Sequence, residues 1–491
     1  MSVHRPILWQ LLRHPGSIAF VDDRRTTRNY ELLAGIFHIA SKLDTVNHSQ
    51  RLGLLLPTGG TFPASALAGL TLGRTIVPLN YLLKREELQY VIDDCGTDTI
   101  VTVRPMIEHL GYVPRVKNLV YLEDVSFAGV PDIRWPADPA DEDLAVLLYT
   151  SGTSGKPKGV MLTHGNLTSN IRQVRDWVDF SRADSMLGVL PQFHSFGLTV
   201  LTLLPLTGGI KVVYTARFIP GKIVRLLREH RPTVLVAIPS MYNALLHAKD
   251  ATADDFKSLR YTVSGGEPLP GAVRDTFRER FGITINEGYG LTETSPVSNW
   301  CRPHEFRPGS VGRPIPLIDQ RIIDAATGRT LPPNTDGEVW MRGPNIMRGY
   351  YNLPAETAKA FSDSGYFRTG DIGRFDDDGH LHITGRLKEM LIVGGENVFP
   401  REIEEVLERH PSVSATGVVG VSDAMRGEQP LAFVEMKEGA SFDEKELIGW
   451  CRQHLAGYKV PVEVRKLDAL PRNATGKVMR RELKALASNA G

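Results

Sequence analysis

The residues best suited to chemistry lie in one loop. An apolar run, Leu144–Tyr149, feeds Thr150-Ser151-Gly152-Thr153-Ser154-Gly155-Lys156-Pro157-Lys158-Gly159-Val160. Hydroxyls, glycines and two lysines suit a polyphosphate: glycines let backbone N–H groups approach phosphate oxygens, hydroxyls donate, and ammonium groups offset the charge. The Walker pattern, Gly, four residues, then Gly-Lys-Ser/Thr, is absent. Gly155-Lys156 is followed by Pro157, and the residue five before Gly155 is Thr150. The loop predicts nucleotide chemistry outside the P-loop NTPases. Gly165-Asn166-Leu167 is read as opening a helix next to the phosphates.

Three further segments carry groups that complement a bound nucleotide. In Asn286-Glu287-Gly288-Tyr289-Gly290-Leu291-Thr292-Glu293-Thr294, glycines flanking Tyr289 let a flat ring lie against the backbone. Thr292 can donate to phosphate, and Glu293 can hold a Mg²⁺ that bridges phosphate oxygens. Asp371, after Thr369-Gly370, sits where a carboxylate can accept ribose hydroxyls. Lys477, in Pro471–Arg481, follows Gly476 in what reads as a positioned loop rather than a solvated basic tail. His194, within Pro191–Gly197, is a lone histidine in an apolar stretch, where a packed core role competes with a functional one. No serine occupies Gly-x-Ser-x-Gly, which argues against a nucleophile-elbow hydrolase.

The elements that must position these residues alternate between strand and helix. Strands are predicted at Arg51–Leu56, Thr99–Val103, Leu144–Tyr149, Ile210–Tyr214 and Val234–Ile238, and helices at Ile219–His230 and Gly271–Phe281. Phe62–Asn80 reads as a buried helix, turn and strand. From Asp319 the pattern becomes antiparallel β, with Gln320–Ile323, Gly337–Arg342 and Gly379–Thr384. A small α+β unit follows Gly385–Lys388: a helix from Pro400, strands Ala415–Val421 and Pro430–Met436, a helix Glu444–Leu455, then a polar tail. The chain of 491 residues is too long for one core. The predicted fold is therefore α/β: a large N-terminal domain (1–385) of layered α/β subdomains with a β-rich subdomain (about 315–385), a boundary at 386–388, and a small α+β C-terminal domain (389–491).

Composition narrows the class. A hydrophobic fraction of 42% and a charged fraction of 23% are those of a soluble globular protein, and a net charge of +1 gives no nucleic-acid footprint. Cys95, Cys301 and Cys451 are too scattered for a metal site or a disulfide framework, which fits a reducing compartment. The N-terminus lacks the apolar core of a signal peptide, and no transmembrane segment is expected, so a cytoplasmic enzyme with at most peripheral membrane contact is predicted.

In this order the segments resemble the adenylate-forming superfamily of acyl-CoA synthetases, peptide-synthetase adenylation domains and luciferases. The resemblance rests on 150–159, Gly288–Glu293, Gly337-Glu338-Val339 with Arg348-Gly349-Tyr350, Tyr366–Asp371, Gly385–Pro400 and Pro471–Lys477. It implies a two-step reaction. A carboxylate attacks the α-phosphate of ATP to give acyl-AMP and pyrophosphate, and a thiol, from CoA or a carrier-protein phosphopantetheine, then displaces AMP. By position, Thr150, Ser151, Gly152, Thr153, Ser154, Gly155, Lys156 and Lys158 would hold the β- and γ-phosphates, with Thr150 and Glu293 on Mg²⁺. Gly265, Gly266 and Glu267 would line the adenine with Gly288, Tyr289 and Gly290, while Thr292 would touch the α-phosphate. Asp371 and Arg386 would bind ribose, Lys388 would be the hinge, and Lys477 would bridge the carboxylate and the α-phosphate. After rotation of the small domain, Gly394-Gly395-Glu396-Asn397 would line the thiol path.

The acid is less constrained. His194, Ser195, Gly265 and Gly290 are the expected acyl-pocket residues. Amino-acid-activating relatives place an Asp near His194 to hold the substrate ammonium, and Phe193-His194-Ser195-Phe196 has none, which disfavours an amino acid. Similarity of Phe193–Thr199 and Gly343–Tyr350 to fatty-acyl ligases, including acyl–acyl carrier protein synthetases, points to a fatty acid first and an aryl acid second. Plant aryl-CoA ligases have lysines near the thiol tunnel, and the aligned positions here are Ile392 and Gly394. A luciferase-like oxygenase and a non-catalytic binding protein are the alternatives; a general NTPase is disfavoured by the missing Walker pattern.

Overall fold

The computed structural model describes residues 2–150, 156–423, 425–472 and 478–488. Two large sheets form the first part of the chain. One has nine strands and is parallel through its centre, running from Asn286–Gly290 through Tyr261–Ser264, Val234–Ala237, Ser185–Gly188 and Lys211–Tyr214 to Ile18–Val21. Val234–Ala237 is an uninterrupted apolar run buried at every position, the mark of a strand covered on both faces. The other sheet has seven strands, with Leu144–Thr150 paired to Thr75–Pro78 on one side and to Lys158–Thr163 on the other.

Helices cover these sheets with one apolar face each. Pro220–His230 starts on a proline, buries Ile223, Val224, Leu226 and Leu227, and stops at Arg231 in the left-handed region (φ 46°) before Pro232. Burial of such aliphatic side chains stabilises the fold by roughly 1.5–3 kcal/mol each. Gly271–Phe281 buries Phe277 and Phe281 and ends at Gly282 (φ 71°).

A four-stranded antiparallel sheet follows, ordered Asp319–Ile323, Gly337–Arg342, Phe367–Phe375, Leu381–Arg386. The last strand begins later than the pattern at Gly379–Thr384 predicts. Gly379 (φ 78°) closes a turn, donating to the Asp376 carbonyl at 3.0 Å, so pairing starts only beyond it.

The smaller C-terminal domain has its own sheet and its own buried clusters, one around the helix Pro400–Glu408 and one around Val419, Phe433 and Leu483. The expected polar tail after Leu455 is more structured than predicted. Glu463–Lys466 pairs in parallel with Gly427–Met436, and the helix Arg480–Ser488 buries Leu483. Leu483, Leu486 and Ala487 stand at i, i+3 and i+4, a helical spacing that the surrounding lysines and arginines obscure in a nine-residue segment. Together the sheets form the predicted α/β architecture of a large multi-sheet N-terminal region and a smaller C-terminal domain. No helix among the described residues is long and apolar enough to cross a membrane.

Candidate active site

The phosphate loop is built as the tip of a hairpin. Thr150 faces Lys158 and Tyr149 faces Gly159 across Leu144–Thr150 and Lys158–Thr163. Ser151, Gly152, Thr153, Ser154 and Gly155 lie outside the described residues. The two lysines flanking the hairpin are both seated on aromatic rings. Lys156 Nζ is 5.2 Å from the Tyr90 ring centre; Lys158 Nζ is 5.4 Å from that of Tyr350 and 2.7 Å from Glu356 Oε2. Below the hairpin, Tyr149 donates to Asp94 Oδ2 at 2.5 Å and fixes the strand.

The helix read at Gly165-Asn166-Leu167 is present. His164–Trp177 begins only after the strand Lys158–Thr163, and at about 3.3 Å per residue that places its N-terminus roughly 17 Å from Lys158. There Thr163 caps Asn166 N–H at 3.1 Å, and Asn166 donates to the carbonyls of Pro344 and Ile346. These contacts tie the helix start to the loop that leads to Tyr350.

The glycine-rich segments converge because their strands are parallel neighbours. Val263 and Ser264 pair with Asn286 and Glu287, so Gly265-Gly266-Glu267 and Gly288-Tyr289-Gly290 emerge side by side at the strand ends, a usual place for ligands in such sheets. Tyr289 donates to Asp371 Oδ2 at 2.5 Å, and Arg386 Nε lies 2.8 Å from Asp371 Oδ1. Asp371 and Arg386 are cross-strand partners, which sets this pair. Asp371 is 2% exposed and its carboxylate retains lone pairs for further donors. Three residues distant in sequence are thus brought together as one polar wall.

Thr292 and Glu293 occupy a short helical turn, Thr292–Thr294. Glu293 Oε1 accepts from the Tyr350 hydroxyl at 2.9 Å, and no lysine or arginine lies within ion-pair distance of it among the described residues. Burial raises its pKa, as for a carboxylate lacking a countercharge. Such a group fits Mg²⁺, which takes one or two carboxylates and completes its shell with phosphate and water. No group of three or more His, Cys, Asp or Glu that could hold a metal ion occurs among the described residues. The Thr292 hydroxyl is buried and lies 3.3 Å from Ser195 Oγ, where the nucleotide side meets the acyl side.

On the acyl side, His194 begins the short helix Ser195–Leu198, accepting Phe196 N–H on Nδ1 at 3.3 Å; that acceptor role places the proton of the neutral ring on Nε2. His194 is exposed at its rim rather than packed in the core, yet it lies deep enough that desolvation lowers its pKa. Thr199–Leu203 continues as a π-helical turn, a feature that often marks functional positions. The Phe196 ring lies 3.0 Å (Cε1) and 3.1 Å (Cζ) from where a Cβ on Gly265 would be, so only glycine lets the ring approach. At Gly290 a Cβ would overlap the Pro296 carbonyl oxygen. Deeper in, Tyr214 is fully buried and donates to Leu201 O at 2.8 Å, while Gln192 donates to Thr202 Oγ1 at 3.0 Å.

The second half-site lies in the small domain. Lys388 follows the strand Leu381–Arg386 in the turn Leu387–Glu389, and desolvation lowers its pKa. Gly394 (φ 62°) and Gly395 (φ 91°) form the two-residue turn between Leu391–Val393 and Glu396–Val398, which needs positive φ at both positions. Gly394, Gly395, Glu396 and Asn397 are exposed. Lys477 lies outside the described residues. The flanking chain is pinned by an Arg472–Val478 bridge and by Met479 N–H donating to Pro471 O at 2.7 Å. Arg480 holds both Glu404 oxygens at 2.6 and 2.7 Å.

Sequence reasoning gave no role to Tyr350, Glu356 or Phe196. Tyr350 stood in a quoted motif, Arg348-Gly349-Tyr350, and that was the available signal; Glu356 has none, because its contact with Lys158 spans 198 residues.

This arrangement can be set beside known proteins. The family model described as AMP-binding enzyme matches residues 7–351, and that of the AMP-binding enzyme C-terminal domain matches 402–477. A long-chain-fatty-acid–CoA ligase of Bacillus subtilis is 32% identical, covering 92% of this chain and 89% of the relative. A feruloyl-CoA synthase of an Amycolatopsis species is 34% identical, covering 89% of each. Among solved structures, an o-succinylbenzoate coenzyme A synthetase of Bacillus subtilis in complex with ATP and magnesium ion superposes with a TM-score of 0.87 at 29% identity, over 98% of this chain and 99% of that one. The chain belongs to the AMP-binding enzyme family and is an AMP-forming acyl-CoA ligase.

Proposed function

We propose that the acid activated here has an uncharged, apolar body, a fatty acid first, and that CoA is the thiol acceptor. One observation carries the choice of acid. The segments 185–204 and 261–266, which carry the expected acyl residues His194, Ser195 and Gly265, contain no lysine or arginine, and neither does 286–300, which carries Gly290 beside the nucleotide residues. A second carboxylate or a sulfonate would be desolvated there without a cation, at a cost of several kcal/mol. An aryl acid is the second reading, favoured by the flat Phe196 ring lying against Gly265 and by the filled interior at Tyr214 and Gln192.

The proposed roles follow the geometry. Thr150 to Lys158 grip the β- and γ-phosphates, and Thr292 contacts the α-phosphate. Gly265, Gly266, Glu267, Gly288, Tyr289 and Gly290 enclose the adenine, while Asp371 and Arg386 hold the ribose. Thr150 and Glu293 hold Mg²⁺, which when bound neutralises phosphate charge. His194, Ser195, Gly265 and Gly290 face the acid. A carboxylate is a poor electrophile, and joining it to AMP supplies a good leaving group. Negative charge grows on the phosphate oxygens, so lysines and hydroxyls, not a covalent nucleophile, are what the step needs. Lys477 bridges the carboxylate and the α-phosphate. A rotation at Lys388 between domains divided at 386–388 then withdraws it and brings Gly394–Asn397 to the site for the thiol.

The test is product analysis with ATP, Mg²⁺ and a panel of fatty and aryl acids, with CoA or an acyl carrier protein as acceptor. Acyl-CoA and AMP in equal amounts are expected. Thioester only on the carrier protein would overturn the acceptor, and light or O₂ consumption from acyl-AMP would reveal an oxygenase.

A further inference from the structure

Tyr350 joins two parts of the site that no single motif connects. Its hydroxyl donates to Glu293 Oε1 at 2.9 Å, and its ring face lies 5.4 Å from Lys158 Nζ. Its backbone is held with unusual completeness. Tyr350 pairs with Val160 at the edge of the seven-stranded sheet, and its N–H donates to Thr357 Oγ1 at 2.9 Å. On one side Tyr351 N–H donates to Gly159 O at 2.7 Å. On the other, Met347 N–H donates to the carbonyl of Glu293 itself at 2.8 Å. The ring is therefore registered both to the strand leaving the phosphate loop and to the turn that carries Glu293.

We propose that Tyr350 is a positioning residue for the metal site: its hydroxyl aims the Glu293 carboxylate while its ring seats Lys158, so that metal binding and phosphate binding share one support. The proposal rests on Glu293 being a metal ligand. A phenol suits the task better than a cation would. An arginine at the same place would orient the carboxylate but cancel the charge a metal ion requires, whereas a neutral O–H donor fixes direction and leaves that charge in place. A phenol is protonated at neutral pH and so can donate to the carboxylate. Glutamate has three rotatable side-chain bonds, and fixing them beforehand lowers the entropy lost when the ion binds.

The test uses Mn²⁺ as the metal, titrated by electron paramagnetic resonance into the full-length protein with ATP present. ATP affinity in EDTA is measured in parallel, and thermal melting serves as a folding control. Tyr350→Phe removes only the hydroxyl and is expected to weaken Mn²⁺ about tenfold while leaving metal-free ATP binding and the melting temperature unchanged. Tyr350→Leu removes the ring as well and is expected to weaken metal-free ATP binding too. Wild-type Mn²⁺ affinity in Tyr350→Phe, with loss in Glu293→Gln, would overturn the proposal and leave Glu293 as a ligand. Unchanged Mn²⁺ affinity in Glu293→Gln would overturn the metal reading itself. Equal weakening of Mn²⁺ and metal-free ATP binding in Tyr350→Phe would make Tyr350 a general prop and also overturn the proposal.

Discussion

The proposed nucleotide wall and the proposed acyl wall are held by different forces. On the nucleotide side, Tyr289, Asp371 and Arg386 are tied to one another within 2.5–2.8 Å. Lys158 is tied to Glu356, and Glu293 to Tyr350. On the proposed acyl side Ser195 meets Thr292, His194 caps Phe196 N–H, Gln192 donates to Thr202, and Phe196 meets Gly265 by shape alone. Farther in, the hydroxyls of Thr199 and Ser264 are buried without a hydrogen-bond partner among the described residues. Directional bonds select one ligand, ATP. Apolar shape selects a class of ligands and shifts with small changes in side-chain volume. The relatives fit this: a fatty-acid ligase and a feruloyl-CoA synthase match the chain over comparable lengths.

The largest expected effect concerns Lys477. Lys477→Ala should slow acyl-AMP formation about 10²–10³-fold while largely sparing thioester formation from supplied acyl-AMP, as single-turnover assays of each half-reaction will show. Next, Asp371→Asn breaks the nucleotide wall at its centre. It should weaken ATP about 10- to 100-fold by calorimetry, in keeping with the worth of hydrogen bonds to a charged group, and leave relative acid preference unchanged. Altered acid preference in that variant would erase the distinction between the walls.

A third prediction concerns Glu287, on the nucleotide strand, where burial raises the carboxyl pKa to about 7 against the opposing pull of Arg401 and Arg274. The folded state holds this proton more tightly than the unfolded state. Its stabilising contribution is therefore complete below the ordinary carboxylate range and is lost as pH rises through about 7. Glu287→Gln should raise stability at about pH 8 by on the order of 2 kcal/mol and by less at about pH 5, measured by denaturant melts. The smallest change is on the acyl wall. Phe196→Ala should raise kcat/KM for bulkier acids about tenfold without altering the KM for ATP.

Legibility in the sequence follows the same division. Thr150–Lys158, Gly288–Glu293 and Asp371 stand out as candidates because phosphate and ribose would demand particular residue types at fixed spacing. Val234–Ala237 and Gly271–Phe281 were readable from apolar runs and end signals. The helix His164–Trp177 was readable from Gly165-Asn166-Leu167, and it begins one six-residue strand beyond the hairpin turn. The helix Arg480–Ser488 passes for a charged tail because only Leu483, Leu486 and Ala487 mark its apolar face, and the packing of Leu483 with Val419 and Phe433 is visible only in the fold. The contacts of Tyr350 with Glu293 and of Lys158 with Glu356 join residues 57 and 198 positions apart, beyond the reach of any local pattern.

The most direct measurement of the central claim is pyrophosphate exchange into ATP with a matched pair of acids, octanoate and suberate, which share a chain and differ by one terminal carboxylate. Exchange with octanoate and none with suberate is the predicted result, since the acyl wall offers no lysine or arginine to the second charge. Exchange with suberate alone would contradict it.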